Sequence, residues 1–158
     1  MDLVLWRHAD AEYGPPDLQR QLTPLGRQQA HDMADWLRPR LPKHARVLVS
    51  PAQRAQQTAA ALGRPFDTIA ALAPGAALSD VLAASGWTPS DEGCVVVVGH
   101  NPTLGEVAAR LLGANGAVAV RKGAVWWFVG RERGERPVVL HACISPNLLA
   151  AGETGHRH

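Results

Sequence analysis

Cysteine is nearly absent: Cys94 and Cys143 are the only two in 158 residues. That excludes a disulfide scaffold, and the pair shows no metal-ligand spacing. Long apolar runs are missing too. No stretch approaches the ~18 apolar residues of a membrane span, and the opening MDLVLWRHADAE holds no apolar run of signal length. Membrane spanning and secretion by a standard signal are therefore not expected, and the cytoplasm is the default setting. There is also little excess charge. A net charge of +2 and a pI of about 8.8 are too mild to argue for nucleic acid. The basic residues are 14 Arg and 2 Lys, and they are scattered. Their densest patch, Arg131, Arg133 and Arg136, is interrupted by Glu132 and Glu135 and reads as a solvated hairpin tip. Nothing suggests an obligate oligomer, so a monomer is expected.

What is present is a globular composition, 46% apolar and 19% charged. A chain of this length suggests one domain, residues 1–150, with a frayed tail over 151–158. There is no internal repeat or low-complexity linker. Strand and helix signals alternate along the chain. Residues 3–6 (LVLW) form a short apolar run that stops at Arg7-His8, and a Gly/Pro-rich loop covers 13–17. A helix follows Thr23-Pro24, where threonine caps and proline fits the first helical position. Its apolar positions Ala30, Met33, Ala34, Leu37 and Leu41 keep a 3.6-residue period. Residues 46–49 read as a strand. Ser50-Pro51 repeats the cap-and-proline signal for a helix to about Leu62. A short strand is expected within 66–72 and a helix over 79–85. The run CVVVV at 94–98 has the continuous apolar character of a parallel strand covered on both faces. A helix over 103–112 follows. Strands at about 123–130 and 137–144 form a hairpin. The expected fold is a three-layer α/β/α sandwich, its sheet mainly parallel with an antiparallel edge hairpin.

Three polar signals occupy equivalent places. Arg7-His8 follows the first strand, Ser50-Pro51-x-x-Arg54 the second, and Gly99-His100-Asn101-Pro102 the valine run. Ligands of open α/β sheets bind outside the carboxyl ends of the strands. Parallel strands would therefore bring Arg7, His8, Arg54 and His100 to one edge. Two arginines and two histidines without a carboxylate make a cationic pocket, suited to a phosphate dianion gripped by planar guanidinium groups. Arg54 lies in the first turn of its helix, where free N–H groups and the dipole also favour an anion. A neutral imidazole there can attack phosphorus and form a covalent phosphohistidine. Arg7, Arg54 and a protonated His100 would stabilise the transition state.

Other polar residues read as ordinary surface or packing. His31, His44, His141, His156 and His158 lack such placement. No H-x-x-x-H pattern or Cys/His cluster suggests a metal. Trp6, Trp36, Trp126 and Trp127 read as packing residues. Trp87, expected in a loop, is the tryptophan best placed to line a site.

The motif set resembles the histidine phosphatase superfamily, also called phosphoglycerate mutase-like. Leu3–Ala9 is similar to its Arg-His-Gly signature, with Ala9 in the glycine position. Residues 17–26 (DLQRQLTPLG), 50–59 (SPAQRAQQTA) and 98–102 (VGHNP) resemble its three further motifs, in order and at matching spacing. The resemblance covers about residues 2–149. It implies that His8 is the nucleophile, that Arg7 and Arg54 bind phosphate, and that His100 binds and stabilises the phosphoryl group. Arg20 would lie near the pocket. No cofactor is implied.

The resemblance narrows to the SixA-type phosphohistidine phosphatases. Only 45 residues separate Arg54 from His100, too few for a large lid. Many esterase members carry a glutamate that protonates the leaving alcohol, and here residues 73–80 offer only Asp80. A phosphorus–nitrogen bond does not need such a donor, whereas an alkoxide leaves poorly without one. The function expected is removal of phosphate from the phosphohistidine of a phosphotransfer or phosphorelay protein. The alternatives are a small-molecule phosphomonoesterase of the same mechanism and a non-catalytic phosphate-binding module. Ala9 in place of glycine gives up freedom at positive φ but still allows close approach.

Overall fold

The computed structural model describes residues 1–131 and 137–149. The first strand, β1 (Asp2–Arg7), alternates its side chains between two buried faces. Leu3 and Leu5 point to one face, Val4 and Trp6 to the other, and all four are fully buried. β4 (Cys94–Gly99) does the same and is buried along its whole length. Such strands need cover on both sides, so the sheet becomes the middle layer of three.

The remaining strands are β2 (Arg46–Val49), β3 (Asp67–Thr68), β5 (Val125–Gly130) and β6 (Val138–Ile144). The sheet order is β3-β2-β4-β1-β5-β6. β1, β2, β3 and β4 run parallel, while β5 pairs antiparallel with both β1 and β6. Helices α1 (Pro24–Leu37) and α2 (Gln53–Ala60) cover one face. Met33, Ala34 and Leu37 of α1 and Ala55 and Ala59 of α2 pack there on Val4, Trp6, Val96 and Val98. Helices α3 (Leu78–Ser85) and α4 (Thr103–Leu112) cover the other face, packing Val81, Leu104 and Val107 on Leu3, Leu5 and Val97. This is the expected sandwich, with the antiparallel hairpin at its edge.

Local chemistry explains the boundaries. Thr23 Oγ1 accepts from the Gly26 N–H at 2.9 Å and starts α1, with Pro24 in its first turn. α3 and α4 end on Gly86 and Gly113, both left-handed, where a side chain would be strained. Leu41 lies past the end of α1 and is still buried.

Two elements differ from expectation. Ser50 does not cap α2: Ala52 occupies the N-cap position and the helix opens at Gln53. The Ser50 hydroxyl is engaged elsewhere, with His100. The stretch 66–72 yields only the two-residue β3 and then a 3-10 turn, Ala70–Leu72. Trp87 does not line the cleft described below; it packs against the α3/α4 core. Of the expected charged hairpin tip only Arg131 lies within the described residues, and it is exposed. The expected tail, 151–158, also lies outside the described residues. Among the described residues no helix is long and apolar enough to cross a membrane.

Candidate active site

Adjacent parallel strands β1 and β4 are followed by helices on opposite faces, α1 on one and α4 on the other. The chain parts at that point and leaves a crevice at the strands' carboxyl ends, where α/β sheets bind ligands. The register pairs Arg7 with Gly99, so His8 and His100 emerge side by side. The His8 N–H donates to the Gly99 carbonyl at 3.0 Å. The two imidazole rings lie 5.0 Å apart at 60°. The resulting cleft encloses about 280 Å³, and Arg7, His8, Arg20, Arg54 and His100 all line it. The structure thus brings together every site residue expected from the sequence.

Arg54 projects from the first turn of α2 and is 4% exposed. Arg7 ends β1, and its Nη1 donates to the Val120 carbonyl at 2.9 Å. The Nε–H groups of both guanidiniums are buried without a protein partner among the described residues. Asn101 Nδ2 holds the same Val120 carbonyl at 2.8 Å.

Among the described residues no carboxylate lines the cleft, but Asp17 and Asp10 stand at its edge. Asp17 Oδ2 lies 3.2 Å from Arg54 Nη2 and Asp17 Oδ1 lies 3.2 Å from Arg20 Nη1. Asp10 Oδ1 lies 3.0 Å from the Lys122 ammonium, which lines the cleft. Asp80, the acid considered from the sequence, does not line it: its Oδ2 accepts from the Ala77 N–H at the start of α3. At the outer rim Arg20 stacks over Tyr13, whose ring is 88% exposed.

Burial pushes the His8 imidazole down from 6.5 to about 4. The Ala9 carbonyl on Nδ1 opposes this, and the charges of Arg54, Arg7 and Arg20 reinforce it. His8 is therefore neutral at pH 7. With Nδ1–H donating to that carbonyl at 2.8 Å, its Nε2 keeps a free lone pair. Burial, then His8 and Arg54, push His100 down to about 3, with Asp17 opposing. In the phosphate-free cleft burial thus favours the neutral ring, whereas the sequence reading has His100 protonated while it stabilises the transition state.

The cleft also depends on residues to which the sequence reading assigned no role. The Ala9 N–H donates to Thr58 Oγ1 at 3.0 Å, and the Leu22 N–H to Gln57 Oε1 at 2.8 Å. The segment 50–58 therefore carries both Arg54 and the groups that hold the His8 loop. Ala9 is fully buried, and no described non-glycine residue has positive φ, so alanine fits the glycine position without strain. Asp17 opens the 17–26 motif but had no role assigned to it, and Lys122 reaches the site from a segment that no motif marks. Among the described residues no group of His, Cys, Asp and Glu side chains is arranged to hold a metal ion.

Comparison with known proteins agrees with this geometry. The model of the histidine phosphatase superfamily (branch 1) matches residues 3–81. An uncharacterized protein of Mycobacterium tuberculosis (strain H37Rv) is 35% identical over 125 residues, 73% of this chain and 77% of that one. The structure of the protein histidine phosphatase SixA complexed with tungstate superposes with a TM-score of 0.80 at 26% identity, covering 95% of this chain and 100% of that one. A SixA-type protein of Nakamurella multipartitia gives a TM-score of 0.71 at 29% identity over 92% and 95% of the two chains. A phosphoserine phosphatase of Entamoeba histolytica shares the fold, with a TM-score of 0.69 at 17% identity over 91% and 96%. The arginines and histidines gathered at this sheet edge sit on the shared fold, and the chain belongs to the histidine phosphatase superfamily, a superfamily of phosphatases.

Proposed function

We propose that this phosphatase removes phosphate from the phosphohistidine of a phosphotransfer or phosphorelay protein in the cytoplasm. The observation that carries the reading is the state of the carboxylates. None among the described residues lines the cleft, and the two at its edge are held below the usual carboxylate range, Asp17 by Arg20 and Arg54 and Asp10 by the Thr23 hydroxyl and then Lys122. A phosphoester needs a proton for its departing alkoxide, and such ion-paired acids do not supply it. An imidazole leaves phosphorus without one. The likeness to SixA over nearly the whole chain supports the same reading.

The steps follow from the geometry. The His8 Nε2 lone pair attacks phosphorus, and a P–N bond forms as the substrate's P–N bond breaks. The bonding pair stays on the imidazole, which departs neutral because the other ring nitrogen of the phosphohistidine already carries a proton. Water then attacks the phosphorus on His8, the P–Nε2 bond breaks, and inorganic phosphate leaves. Arg7 and Arg54 meet the equatorial oxygens as charge develops on them, His100 donates to them through a ring N–H, and Arg20 stands at the cleft mouth.

The test is phosphate release from a phosphohistidine-bearing protein beside p-nitrophenyl phosphate, with His8→Ala as control. Release from phosphohistidine that vanishes in the variant, with little ester turnover, is expected. Strong ester hydrolysis with inert phosphohistidine would move the assignment to a small-molecule phosphatase.

A further inference from the structure

Ser50 lies at the carboxyl end of β2, is fully buried, and has no part in the steps above. Its Oγ stands 2.6 Å from His100 Nε2 and accepts from the Ala52 N–H at 3.2 Å. A serine hydroxyl has one proton to give and two lone pairs to offer. Among the described residues the sole acceptor within reach of that proton is His100 Nε2. The backbone at Ser50 is held as well: Gln56 Nε2 donates to its carbonyl at 2.8 Å. A neutral imidazole that accepts at Nε2 carries its proton on Nδ1. Nδ1 of His100 has no protein partner among the described residues and is not sealed off from the cleft.

We propose that Ser50 is a positioning residue whose hydroxyl holds His100 in the Nδ1–H tautomer, so that an N–H rather than a lone pair meets the phosphoryl oxygens. The proposal rests on the reading of the cleft as a phosphoryl site. The opposite tautomer would turn a lone pair towards an oxyanion and replace attraction by repulsion. Imidazole free of constraint favours the Nε2–H form, so the preference has to come from the protein. It also follows why one segment carries both Ser50 and Arg54. One turn of chain sets a cation and the orientation of the second histidine, and the two cannot drift apart.

The test is ¹⁵N–¹H NMR of the imidazoles in the full chain, with inorganic phosphate as probe, alongside kinetics of Ser50→Ala. Wild type is expected to show His100 protonated at Nδ1, with that signal moving on phosphate addition. In Ser50→Ala the tautomer shifts towards Nε2–H. There kcat falls by about 10- to 100-fold with KM little changed, less than the ~10⁴ of a fully wrong tautomer in a catalytic triad. An Nε2–H tautomer in wild type that still responds to phosphate overturns the Ser50 assignment alone, and so does an unchanged kcat in a folded Ser50→Ala. An Nδ1–H tautomer with no response to phosphate overturns the phosphoryl-site reading and this proposal with it. The wild-type spectrum decides the question even if the variant does not fold.

Discussion

At the residue scale the cleft works by keeping its histidines uncharged and its arginines charged. A buried imidazole among guanidiniums resists protonation, and His8 keeps a free ring lone pair well below neutral pH. Guanidinium does not deprotonate under the same pressure, so the positive charge facing the cleft stays constant. Arg54 is the more enclosed of the two gripping residues, and its outer edge already holds the Asp17 carboxylate. The Asp17 carboxylate is half-exposed, but the Arg54 side chain is 5% exposed and its Nη1 also donates to the Asp17 carbonyl at 2.8 Å, so a phosphoryl group has to share the guanidinium with Asp17 or displace it. Replacing Arg54 removes a charged contact whose worth grows as the transition state forms. Arg54→Ala is expected to raise the barrier by about 2.7–4 kcal/mol, as loss of an oxyanion donor does elsewhere. Steady-state kinetics on the preferred substrate would read this as a loss in kcat/KM. A rate within a few-fold of wild type would remove Arg54 from the phosphoryl site.

At the scale of elements, the cleft depends on close backbone approaches. A Cβ on Gly26, in the first turn of α1, would lie 1.9 Å from the Asp10 carbonyl oxygen. That carbonyl also accepts from the Thr23 N–H, and the loop carrying it begins at His8. Gly26→Ala therefore has to push α1 away from the loop that begins at His8. A loss of about 1–3 kcal/mol in stability is expected, the usual range for overpacking. Urea denaturation measures it, and phosphatase activity should fall as His8 shifts; a stable, fully active variant would show that the loop can yield. Many elements were legible in the sequence because their signals are local. Thr23-Pro24 marked α1, and the valine run marked β4 as a strand covered on both faces. α2 was misjudged at its start for a physical reason. Ser50-Pro51 has the composition of a helix cap, but a partner remote in sequence claimed the hydroxyl.

At the scale of the whole molecule, the burial of two neutral histidines ties stability to pH. Their native pKa values, about 4 and about 3, lie below the 6.5 of an unfolded histidine. Above pH 6.5 neither state binds the protons and nothing is lost. Below it the unfolded chain takes up protons that the native cleft refuses, so stability falls as pH drops towards 4. In phosphate-free buffer, a loss of about 1–3 kcal/mol between pH 6.5 and 5 is expected from the two groups together. Urea midpoints across that range would measure it, and His100→Asn should flatten the slope; a flat profile in wild type would mean that the cleft admits protons freely. The sequence by itself determined the layers, the identity of the four cationic and imidazole groups, and their places at strand ends, because apolar period, caps and strand-end polarity are written locally. The tertiary structure alone decided that Arg7 pairs in register with Gly99, which sets His8 beside His100. It also decided that Ser50 faces His100 rather than its own helix, that Asp17 closes on Arg54, and that burial favours the neutral form of His100. These depend on strand register and burial, which arise only when segments distant in the chain pack together.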